Sequence, residues 1–204
     1  MGLVKYNNNS ISTISTAGQL ASGSLVPISE QTASGSASIS FTTGIDSTYP
    51  IYKFEFINIH PATNGAEFTF QSDTGTNTNY NQTITSTVFT ANHKEDGSET
   101  GLSYFSAFDQ AQGTSFQNLQ TNVSADNDNG VSGTLHLFEP SNTTFVKHFI
   151  STTNSQQLDV VGMSHNHFVA GYFNTITALT RFQFKFSSGN IDSGTIKLYG
   201  IKDS

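Results

Sequence analysis

Six histidines and a few acidic clusters are the side chains of this 204-residue chain most able to do chemistry. His165 and His167 lie two apart, so on a strand both would face one way and could share a metal ion. Gly162-Met163-Ser164 beside them reads as a loop, and the sequence offers no third ligand nearby. His136 and His148 flank a turn at Pro140. Pairing Phe138 with Val146 would set them opposite each other, as a cross-strand polar pair or a pH-sensing one. His60 precedes Pro61 at a strand end, where a bond to loop backbone is expected. Asp126-Asn127-Asp128-Asn129-Gly130 could supply oxygen ligands to calcium, but lacks the full spacing of a calcium loop. An Asp/Asn/Gly turn explains it without an ion. Glu95, Asp96 and Glu99 form a polar loop cluster. A glycosidase needs two carboxyls fixed across a cleft, usually with aromatic sugar platforms, and there is no Trp. No nucleophile elbow, phosphate-cradling loop or zinc-protease helix occurs. The residues therefore single out no catalytic centre, cofactor or metal, and a non-enzymatic protein is expected.

Composition narrows the partners. Arg181 is the only arginine, the net charge is −7, and the scattered lysines do not suit a phosphate backbone, so no nucleic acid is expected. Apolar runs fall short of the roughly 18 residues of a membrane helix. Met1 to Asn9 carries no apolar core of a signal peptide, and neither signal peptide nor membrane is expected. Ser, Thr, Asn and Gln make up about 40% of the chain, well above ordinary usage, while 17 Phe and 7 Tyr supply the apolar area for a core.

The elements that must position these groups read as strands. Tyr52, Phe54 and Phe56 alternate with Lys53 and Glu55, on whose side Ile57 and Ile59 also fall. Phe68 and Phe70 alternate with Glu67 and Thr69, and Phe182, Phe184 and Phe186 with Arg181, Gln183 and Lys185. Period two with one apolar face marks half-buried strands, whose Phe side chains are core. Further strands are expected near 82–91, 133–139, 144–151 and 167–174, with hairpin loops at His60–Gly65 and Pro140–Thr143 and a short helical turn over Leu102–Gln112. About nine strands without amphipathic helices predict an all-β antiparallel β-sandwich, jelly-roll-like, over residues 38–204. Apolar residues on the outward faces, among them Phe138, Phe173 and Ile201, would form second-layer core or meet a subunit.

Residues 1–37 differ, with Tyr6 their only aromatic, and read as an extended N-terminal arm. Leu3, Val4, Ile11, Ile14 and Leu20, with Leu25 and Val26, give such an arm something to bury on a neighbour.

Several segments resemble a family of small virion structural proteins of marine tailed bacteriophages. They are IYKFEFINIHPA at 51–62, SGTLHLF at 132–138, TFVKHF at 144–149, VAGYFN at 169–174 and SSGNIDSGTIKLYG at 187–200, with KYNNNSI at 5–11 and residues 17–24. The resemblance implies particle assembly and supplies no functional residues. It leads us to expect a virion-located capsid decoration or cement protein. Its expected partners are the major capsid or tail subunits and other copies of itself. A tail or head appendage is the alternative. If that appendage binds host surface glycans, Tyr80, Tyr104 and Tyr172 are the candidate stacking platforms.

Overall fold

A computed structural model describes residues 25–75, 78–158 and 162–202. The described residues form thirteen strands and no helix. In chain order these are β1 (Leu25–Ser36), β2 (Ile39–Phe41), β3 (Ile51–Pro61), β4 (Ala66–Asp73), β5 (Ile84–Lys94), β6 (Thr100–Tyr104) and β7 (Ala111–Gly113). There follow β8 (Gln117–Val123), β9 (Val131–Phe138), β10 (Lys147–Gln156), β11 (Met163–Phe173), β12 (Arg181–Phe186) and β13 (Ile191–Ile201). The large sheet runs β1-β13-β3-β9-β10-β11-β5-β6, with β7 also on β5, and the small sheet runs β2-β12-β4-β8. Every pairing is antiparallel. The all-β sandwich expected from period-two patterning is what the chain forms.

Alternation fixes which face each strand buries. Tyr52, Phe54 and Phe56 of β3 are buried, as are Phe182, Phe184 and Phe186 of β12 and Phe68 and Phe70 of β4. Their rings interlock across the sheets. Phe184 lies 4.9 Å from Phe54 and 5.3 Å from Phe56 in edge-to-face geometry, and stacks at 6.1 Å on Phe68. Edge-to-face rings set the positive rim of one against the negative face of the other, beyond what burial alone contributes.

Four expectations change. Residues 25–36 of the expected arm form β1, paired with β13 from Leu25–Ile201 to Ser36–Ile191. Composition hid this strand because an edge strand needs few core residues; only Ala33 on it is buried. The remaining arm residues, Leu3, Val4, Ile11, Ile14 and Leu20 included, lie outside the described residues. The His60–Gly65 loop is no hairpin; it carries the chain from the large sheet to the small one. Leu102–Gln112 holds the end of β6, a turn and the start of β7 in place of a helical turn. Finally, Ile59 is buried, on the opposite side from Lys53 and Glu55. A bulge between Phe56 and Ile59, with Asn58 at φ 49°, inserts a residue and reverses the alternation. Gly194 of β13 fits against this bulge because a Cβ there would stand 2.5 Å from the Asn58 carbonyl oxygen.

Candidate functional site

The outer face of the large sheet gathers side chains that the core does not use. The ladder pairings line up Tyr199, Lys53, His136, Ile150, Ala170 and Thr87 across β13, β3, β9, β10, β11 and β5. The next row is Lys197, Glu55, Thr134, Thr152, Phe168 and Phe89, ending with Tyr104 on β6. The left of the face is charged. Lys53 Nζ lies 2.6 Å from Glu55, and Lys197 Nζ 3.2 Å from Glu30. Lys53 holds the Glu55 carboxyl below its ordinary range.

The right of the face is apolar. Phe89 stacks on Phe168 with centroids 4.7 Å apart and planes 12° from parallel. Phe89 stays 42% exposed, Ile150 52%, Tyr104 58% and Leu102 74%. Beside them Tyr172, His148, Ile150, Ala170, Thr85 and Thr87 border a shallow groove of about 430 Å³. An open, weakly concave apolar face is suited to contact with another macromolecule.

The three candidate tyrosines separate. Tyr172 sits on this face with its ring 5.9 Å from His148. Tyr104 ends the second row, and its hydroxyl donates to the Asp109 carboxylate, which raises the phenol's pKa. Tyr80 is buried and offers no stacking face. The sequence misled because Tyr80 lies in a polar loop; Tyr80 itself turns inward, and its N–H donates to Asp73 Oδ2 at 3.1 Å.

The histidines also separate. His136 faces Ile150, so the β9–β10 register is displaced by two residues from the Phe138–Val146 pairing that would set His136 opposite His148. Asn142 Oδ1 accepts from the Thr144 and Phe145 N–H groups, and this turn lengthens the connection to residues 139–146. Burial, then the Lys53 charge, lowers the His136 pKa. His60 Nε2 lies 3.2 Å from the Asp126 carbonyl oxygen, the loop-backbone bond expected of it.

His165 and His167 do share a face, on β11 and not in a loop, and it is the inner one. Their rings stand 4.5 Å apart. His167 is fully buried, its Nε2 lies 3.2 Å from Thr121 Oγ1, and burial with the neighbouring His165 pushes its pKa down to about 3. Around them Gln120 Nε2 donates to the His165 carbonyl at 3.1 Å, and Thr153 Oγ1 lies 2.6 Å from the Leu119 carbonyl and 2.9 Å from Gln120 Oε1. Among the described residues, no group of three His, Cys, Asp or Glu side chains is placed to hold a metal ion.

The acidic clusters lie apart. Glu95, Asp96 and Glu99 occupy the β5–β6 turn, where Ser98 and Lys94 hold the Asp96 carboxyl down to about 2. Asp128 lines a polar cleft of about 440 Å³ with His60, Asn58, Asn154 and Asp192. Sequence reasoning missed Lys147, which is fully buried and donates at 3.0 Å to both the Phe145 and Thr175 carbonyl oxygens. Only its place at an inward position of an alternating strand could have pointed to it.

Compared with family models, with curated proteins and with solved structures, the chain matches none.

Proposed function

We propose that this chain is a non-enzymatic structural protein of a phage particle, acting as a capsid decoration or cement protein that joins neighbouring shell subunits. One observation carries the reading: the outer face of the large sheet presents Ile150, Phe89, Tyr104 and Leu102 uncovered. Burying such side chains is worth about 25 cal/mol per Å² of apolar surface. A cement protein repeats that modest gain over many copies and lattice neighbours, and multivalency converts it into firm attachment. The resemblance to virion proteins supplies the setting. Residues 1–24 add Leu3, Val4, Ile11, Ile14 and Leu20 as contacts for a neighbour. The jelly-roll-like description belongs to the same proposal and draws on the chain's repeated passage between sheets from β1 to β5.

The test is a cryo-EM map of intact particles that locates and counts the chain. Hundreds of copies on the head lattice, with the outer face against shell subunits, are expected. Absence from purified particles overturns the proposal. Deleting residues 1–24 is expected to leave the melting temperature unchanged and to abolish incorporation.

The second reading is a tail or head appendage that binds host glycans. Tyr104, held by Asp109 beside the Phe89–Phe168 stack, is the observation in its favour. It predicts a few copies at the tail or vertex, and glycan-array binding lost in Tyr104→Ala.

A further inference from the structure

We propose that β6 is a self-pairing edge, through which two copies of this chain join their large sheets across a two-fold axis. The inference stands whether or not the chain belongs to a particle. Among the described residues, β6 pairs with β5 on one side and with no strand on the other. Its backbone direction follows from its ends. Lys94 N–H donates to the Glu99 carbonyl at 2.9 Å, and Phe105 N–H to the Val88 carbonyl at 2.8 Å. Antiparallel ladders alternate, so Thr100, Leu102 and Tyr104 direct their N–H and C=O groups away from β5. An outward row of donors and acceptors is a template for another strand.

The two edges of the large sheet are treated differently. β1 carries Pro27, a bulge between Pro27 and Ser29, and Glu30, all devices that discourage pairing. β6 reads Thr-Gly-Leu-Ser-Tyr, with neither charge nor proline. Its occupant is set by self-complementarity. A two-fold axis at Leu102 pairs Leu102 with its own copy and Thr100 with Tyr104, as an isologous interface requires. Each of these residues then meets its partner in a hydrogen-bonded pair. The side chains agree: Leu102 and Tyr104 neighbour Ala91 and Phe89 on the outer face, so the apolar row would continue into the second copy.

Charge opposes the contact and so gives it a signature. The pairing brings together two copies that each carry a net charge of −7. Association must therefore strengthen with salt, as screening removes the repulsion.

The experiment is sedimentation velocity on the full chain from low to several hundred micromolar, at low and high salt, with hydrogen exchange read residue by residue. A dimer favoured by salt is expected. Its amides at Thr100, Leu102 and Tyr104 should gain protection with concentration, while Gly101 and Ser103, already bonded to β5, stay unchanged. Leu102→Lys places a charge on the edge and is expected to weaken association by about ten-fold or more, with the melting temperature unchanged. A monomer at every concentration overturns the proposal. So does a dimer without that alternating protection.

Discussion

The two halves of the sandwich interior are built from different chemistry. Beneath β12 and β4, Phe rings fill the space: Phe41, Phe54, Phe56, Phe68 and Phe70 all surround Phe184 within 6.2 Å. Beneath β8, the same two sheets enclose Gln117, Gln120, Thr121, Thr153, His165 and His167, all buried. The first half is held by surface removed from water and by ring contacts, which are large in sum and weakly directional. The second is held by hydrogen bonds whose net worth is small but whose loss strands a buried polar group. One fold thus contains a region that is hard to unsettle by pH and another that pH reaches directly.

Four measurements can break or sharpen this contrast. Phe184→Ala should cost about 3–5 kcal/mol in urea unfolding, because the ring leaves a cavity among its neighbours. A cost under about 1 kcal/mol would mean that the aromatic half repacks freely. Next is acid. His167 is neutral in the fold, with its pKa at about 3 against 6.5 when unfolded. Between those values the unfolded chain binds the extra proton, so stability is full above pH 6.5 and falls as pH drops toward 3. From pH 7 to pH 5 this amounts to about 2 kcal/mol for His167. The urea midpoint at both pH values checks it, and His167→Phe should flatten the slope; an unaltered slope would locate acid sensitivity elsewhere.

Thr153→Val comes third. It removes the hydroxyl shared by the Leu119 carbonyl and Gln120, at about 1–2 kcal/mol. Since the substitution keeps shape, the loss should appear in calorimetry without a change in m-value. Last is Phe89→Ala on the outer face. Loss of its stack on Phe168 should cost about 1 kcal/mol, set by solvent exposure on one side. A loss as large as that of Phe184 would mean that the outer face is as much a core as the inner one.

The aromatic half was legible in the sequence because alternation needs only one strand to be read at a time. Phe182, Phe184 and Phe186 state their own burial. The polar half was not, since a buried Gln120 or Thr153 looks like any surface residue until its partner strand is known. The sequence spacing of His165 and His167 did place them on one face, but not on the inner one. Ile59 and the His136 pairing failed through local events, a bulge and a longer turn, and each displaces everything downstream of it. Of the outer face, Tyr104 and Tyr172 were found as residues. Their neighbours Phe89, Ile150 and Leu102 become a surface only when β5, β10 and β6 are laid side by side.

The strand order has a consequence for how the chain is born. β12 lies between β2 and β4, and β13 between β1 and β3. β12 and β13, the latest made of the described strands, are therefore the inner slats of both sheets at this side. Leu25 waits for Ile201, a delay of about 10–35 s at ordinary rates of synthesis. Throughout that interval the nascent β1, β2 and β3 lack the strands that complete them. Folding is expected to be slow and to finish only once β13 has emerged, since contacts so distant in sequence form late. A chain stalled before residue 181 should be captured by chaperones that a full-length chain escapes.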